Sequence, residues 1–204
     1  MKKFFRRLMA LILIAVIARG AVAAPVIKDG YRLYKQVTER MPVQQKVDEI
    51  RAQAAYTPFE DISPVFIDTL LESEDRRFYS HCGLDPISLI RAVAANAIHG
   101  RYIQGGSTIT QQLAKNMYFS FEKQLSRKVA ELFVALQLEG LYSKEEILAL
   151  YCTLAYFGQN CYGVKEAGGY YYGVEPSQLD SQQSRELVRA LKAPSVYNPS
   201  TIRR

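Results

Sequence analysis

Cysteine and histidine are scarce in these 204 residues: three of the first and two of the second, scattered along the chain. That is too few for a structural zinc site. Glycine (12) and proline (8) are also modest beside 49% hydrophobic residues, which excludes a collagen-like, low-complexity or disordered chain. No long apolar run is present. Leu8 to Ala18 is unbroken for eleven residues, whereas a helix crossing a bilayer needs about 20. A mean hydropathy of −0.11 excludes a protein with several membrane spans. Excess charge is small too. The formal +6 includes Lys2, Lys3, Arg6 and Arg7, and without those four it falls to +2, too little for a nucleic-acid footprint. Period-2 alternation between Asn-Gly or Asp-Gly turns is lacking, which argues against a sheet.

What is present begins with that basic cluster and the apolar stretch behind it. Arg19 ends the stretch, and Ala21-Val22-Ala23 follows with the small-x-small spacing of a signal-peptidase site. Residues 1–27 therefore read as a cleaved export signal or as a retained N-terminal anchor. Either places the rest of the chain outside the cytoplasm. Export permits disulfides. Cys152 and Cys161, nine residues apart, either close a small loop or stay reduced, and Cys82 has only the adjacent His81 as a base.

The remainder predicts an all-α domain, in two lobes, behind a charged helical lead-in at 28–57. Charged residues near 43–54 form one helix. Ser63-Pro64 opens another to about Ser73, and Asp85-Pro86 opens a third that Gly100 stops. Ile87, Ile90, Val93, Ala94, Ala97 and Ile98 mark one face of that third helix. Thr108 with Gln111 and Ser143 with Glu146 fit capping boxes. Leu125, Val129, Leu132, Phe133 and Leu136 form an apolar stripe over about 124–139. A last helix runs over about 180–192 until Pro194.

Four segments are richer in polar groups or glycine than packing needs. Glu74 to Gly83 is a solvated charged loop or a cleft loop carrying a general base. Gly105 to Asn116 is a flexible linker and capped helix, or a cradle where paired glycines, free N–H groups and Lys115 meet an anion. Arg127 and Lys128 flank Glu131 at i,i+4 and i,i+3. That is a surface ion-pair set, or a carboxylate kept ionised by cations that also face a pyrophosphate. Tyr156 to Tyr172, with four glycines, reads mainly as a packed glycine-rich turn.

In order and spacing, three of these segments resemble one family. Glu-Asp-x-x-Phe-x-x-His-x-Gly at 74–83, Gly-Gly-Ser-Thr-Ile-Thr-Gln-Gln at 105–112 with Lys115-Asn116, and Arg-Lys-x-x-Glu at 127–131 are similar to signature motifs of the peptidoglycan glycosyltransferases. These are the glycosyltransferase family 51 domains of class A penicillin-binding proteins and their monofunctional relatives. The likeness runs from about Pro58 to Pro199 and assigns 58–204 to that domain. The fourth motif departs from the pattern, with Thr153 where asparagine is usual after Lys144, Ile147 and Tyr151. So does the fifth, with Val188 and Arg189 where small residues are usual. The end at Arg204 leads to the expectation of a monofunctional member.

The resemblance implies a lysozyme-like helical fold with a larger lobe and a small membrane-proximal lobe, in the cytoplasmic membrane and facing the periplasm or exterior. It implies polymerisation of lipid II, with undecaprenyl-pyrophosphate-linked glycan as donor and inversion at each β-1,4 link. Glu74 and Glu131 are then catalytic. Thr108, Gln112, Lys115, Asn116, Arg127 and Lys128 bind substrate, and Asp75, Phe78 and His81 fix the Glu74 loop. No cofactor is required, although a divalent cation (Mg or Mn) can assist. The membrane surface and cell-wall transpeptidases are implied partners, nucleic acid is not. The rival activities are a lysozyme-like glycan-cleaving enzyme and a catalytically impaired scaffold of the same fold.

Overall fold

The computed structural model describes residues 23–100, 105–119 and 124–202. Most of the N-terminal targeting segment, 1–22, lies outside them. The first described helix, α1, covers 23–40. It is followed by α2 (Val43–Arg51), α3 (Pro64–Glu74), α4 (Pro86–His99), α5 (Ile109–Tyr118), α6 (Leu125–Leu141), α7 (Lys144–Leu154), α8 (Val164–Tyr172) and α9 (Ser181–Lys192), with two short C-terminal helices, α10 (Pro194–Tyr197) and α11 (Pro199–Ile202). Among the described residues the only β pairing is an isolated antiparallel bridge, Tyr156 to Tyr162. The class is all-α. No helix among the described residues is long and apolar enough to cross a membrane.

Helix α7 is the axis of the helical core. Every residue from Ile147 to Thr153 is buried, so the helix is apolar on all sides and others surround it. Helices α5, α6 and α2 pack against α7, and α3 lies along α9. Local chemistry sets the ends. The Thr108–Gln111 and Ser143–Glu146 capping boxes both form, and Asp180 with Gln183 makes a third. The Asp85 carboxylate caps α4 by accepting from the Ile87 and Ser88 N–H groups, and Gly100 ends that helix at φ 61°.

Four expectations are corrected. The α4 stripe does not face the core: Ile90 is 70% and Ile98 80% exposed, and only Ala92 of that helix is buried. On α6 the core face is Ala130, Val134, Ala135 and Leu138. Part of the expected stripe meets α1 instead, where the Tyr31 ring stands edge-on to Phe133 at 5.2 Å. The 156–172 segment is a turn only in its first half. Gly163 turns the chain at φ +89°, where a Cβ would stand 2.6 Å from the Thr153 carbonyl oxygen, and α8 follows. Ser63 precedes α3 without capping it, since its hydroxyl donates to the Leu179 carbonyl at 2.8 Å. All three cysteines are free thiols, with Cys152 and Cys161 buried and Cys82 exposed. The Thr153 hydroxyl donates to the Ala149 carbonyl (2.8 Å) inside the core, which confines that departure to packing.

Candidate active site

Helix α3 ends because Asp75 leaves helical geometry at φ −158°, ψ 73°. That leaves Glu74 in the last turn. The Gln112 amide donates from Nε2 to Glu74 Oε2 at 3.2 Å, and the Ser73 hydroxyl donates to Oε1 at 3.2 Å. Gln112 is oriented in turn by the Tyr151 hydroxyl, which donates to its Oε1 at 3.1 Å. Burial pushes the Tyr151 pKa well above its ordinary value, and the Glu74 charge adds to this. The phenol therefore stays a donor, and the amide keeps its N–H toward the carboxylate.

Asp75 fastens this loop to the next helix. Its buried carboxylate meets His81 Nε2 at 3.0 Å and accepts from the Ile109 N–H, at the start of α5, at 2.9 Å. Phe78 is buried, with its ring edge-to-face with His81 at 6.1 Å. Lys144 Nζ lies 4.3 Å over the Phe78 ring and donates to the His81 carbonyl at 2.7 Å. It also pairs with Glu139, which accepts from the Thr110 hydroxyl at 2.6 Å. The three residues expected to fix the Glu74 loop are thus all in contact with it or with one another.

A second wall is cationic. On α6, Arg127 Nη1 bonds Glu131 Oε1, and Lys128 Nζ lies 2.8 Å from Oε2. Lys128 also donates to the Ser107 hydroxyl at 2.9 Å. Burial lowers the Lys115 pKa; Glu131 opposes that shift while Lys128 and Arg127 reinforce it, and the net is below the ordinary lysine value. These walls enclose a cleft of about 770 Å³ whose lining includes Glu74, Gly105, Gly106, Gln112, Lys115 and Lys128.

Not every expected ligand lies in it. Glu131 is fully buried and, like Arg127, is absent from the cleft lining; it reaches the cleft through Lys128. Thr108 borders the cleft, but its hydroxyl donates to the Gly83 carbonyl (2.8 Å) and accepts from the Gln111 N–H (3.2 Å). It is a cap and staple, with no hydroxyl donor left for a sugar. Asn116 is exposed on α5 outside the lining. Conversely, Arg76, Arg91 and Lys192 line the cleft and were missed, because in sequence they look like any solvated charge.

A family model described as "Transglycosylase" matches residues 42–204. The chain is 39% identical over 144 residues to penicillin-binding protein 1A of Aquifex aeolicus, covering 71% of this chain and 20% of that one. It is 34% identical over 189 residues to penicillin-binding protein 1A of Escherichia coli (83% and 22%). It is also 34% identical over 206 residues to penicillin-binding protein 1F of Bacillus subtilis (97% and 29%). The matches span 20 to 29% of those relatives' lengths. The motif resemblance and the family match coincide over nearly all of the helical domain, and the chain belongs to the transglycosylase family.

Proposed function

We propose that this chain is a peptidoglycan glycosyltransferase of bacterial cell-wall synthesis, polymerising lipid II into β-1,4-linked strands. The observation that carries this reading is a single cleft lined by Glu74, Lys115 and Lys128. A sugar alcohol is a weak nucleophile at neutral pH and needs a base. Glu74 takes the proton of the acceptor 4-hydroxyl as its oxygen attacks the donor anomeric carbon. The bond from that carbon to the pyrophosphate breaks, and the electron pair leaves on the phosphate oxygen. Attack opposite the leaving group inverts the centre.

Undecaprenyl pyrophosphate is a weak base, so it needs positive charge more than a proton. Lys115 and Lys128 supply it, with Arg127 and Glu131 holding Lys128 in place. No cofactor enters this scheme. Where Mg or Mn assists, it would pair with the anionic diphosphate. The cations also favour synthesis over the glycan-cleaving alternative, which has no anionic leaving group to neutralise.

The exposed apolar face of α4 suits contact with a bilayer surface, where a lipid-linked substrate resides. The basic and apolar N-terminal segment suits attachment to the cytoplasmic membrane with the domain facing the periplasm or exterior. Transpeptidases that cross-link the product are fitting partners. The test is the full chain in detergent with fluorescent lipid II, the products resolved on a gel. A polymer ladder blocked by moenomycin is expected, and polymeric glycan supplied alone should stay intact. Cleavage of that glycan, with no ladder from lipid II, would overturn the reading.

A further inference from the structure

Beside the cleft lies a second groove, of about 290 Å³, between α3 and α9. Thr69, Glu72, Ser73 and Arg76 of the α3 side follow i, i+3, i+4, i+7 spacing, and Arg185, Val188, Arg189 and Lys192 do the same on α9. Two helical stripes therefore face each other. The groove shares Glu72, Ser73, Arg76 and Lys192 with the cleft, so it opens beside Glu74. Four cations line it against one carboxylate, Glu72, whose partner is Arg76 at 3.8 Å. Arg189 lies 4.5 Å over the Tyr197 ring. Among the described residues no carboxylate pairs with Arg185, Arg189 or Lys192. Packing explains the buried Val188 of this stripe but not three cations around it.

We propose that this groove binds an anionic group of the acceptor, namely the carboxylates of its peptide or its own diphosphate. The proposal rests on the polymerase reading above. Lys115 and Lys128 take the donor leaving group, while the acceptor presents its 4-hydroxyl at Glu74 and extends away from that wall. A second anion on the acceptor then meets the α3–α9 side. Arg185 and Lys192 act on binding and leave the chemical step to Glu74.

The experiment is polymerisation by the full chain at varied lipid II, with peptide carboxylates free or amidated. It compares the wild type, R185Q/K192Q and the charge-keeping R185K/K192R. KM for the free-carboxylate substrate should rise about five- to tenfold in R185Q/K192Q, with kcat within about twofold and the rise smaller in high salt. R185K/K192R should restore it. A rise confined to the free-carboxylate substrate assigns the peptide; an equal rise on both assigns the diphosphate. An unchanged KM in a variant with native circular dichroism would overturn the proposal. So would a loss confined to binding of anionic phosphatidylglycerol vesicles, which would make the groove a headgroup contact. Absence of any polymer from the wild type would instead sink the polymerase reading itself.

Discussion

The Glu74 loop and helix α4 are neighbours in sequence and opposites in construction. Around Glu74, side chains from α3, α5, α6 and α7 hold one another through Asp75–Ile109, Tyr151–Gln112 and Lys144–Glu139. Helix α4 buries a single alanine and turns isoleucines outward. The first region has the rigidity that proton transfer demands. The second has a surface whose apolar groups gain nothing from the fold, so their selection points to something outside it. Capping by Asp85 supports this division. Burial disfavours its charge, but the Ser88 hydroxyl and N–H, Arg77 and the Ile87 N–H outweigh that and hold its pKa below the ordinary value. The helix is thereby fixed at its start rather than along its length.

The largest effect should come from Glu74→Gln. Polymerisation should fall about a thousandfold with an unchanged helical circular-dichroism spectrum; near-normal synthesis would remove Glu74 as the base. Next is the body itself. Leu148→Ala in α7 should cost about 2–5 kcal/mol of stability by denaturant unfolding, since the residue is wholly buried. Lys115→Ala should lower kcat/KM about tenfold to a hundredfold. Because the Lys115 pKa is depressed, its charge is present at low pH and lost as pH rises through a value below that of an ordinary lysine. Lys115→Arg should therefore keep part of the activity and move the alkaline limb of the rate profile to higher pH. Smallest in stability is Ile90→Ser on α4, expected within about 0.5 kcal/mol of the wild type, while vesicle association weakens. A Leu148-sized loss from Ile90→Ser would erase the contrast between the two regions.

What could be read from sequence was what is decided locally. Thr108–Gln111, Ser143–Glu146 and Asp85-Pro86 satisfy backbone groups within a few residues, so the helix starts followed from spacing alone. Each motif segment puts at least one residue in the lining of one cleft, Glu74, Gln112 and Lys128 among them. Faces were harder. The α6 stripe was misjudged because α1, distant in sequence, covers Phe133 while the buried Glu131 occupies the core-facing side. Helix α8 was missed because Gly168 and Gly169 weaken helix propensity, yet Gly168 is needed where a Cβ would come within 2.9 Å of the Val174 carbonyl oxygen. Thr108 and Asn116 were assigned to substrate from motif position, which carries no information on where a hydroxyl is already spent.

The inaccessibility of Glu131 has a further consequence. A carboxylate without water must keep both its cations, because stranding it is costly. Arg127 and Lys128 are therefore preset before any substrate arrives. With Lys115 beside them, the described residues set three positive groups near the one carboxylate of Glu131. A diphosphate diester carries two negative charges, so this wall would receive it with little rearrangement.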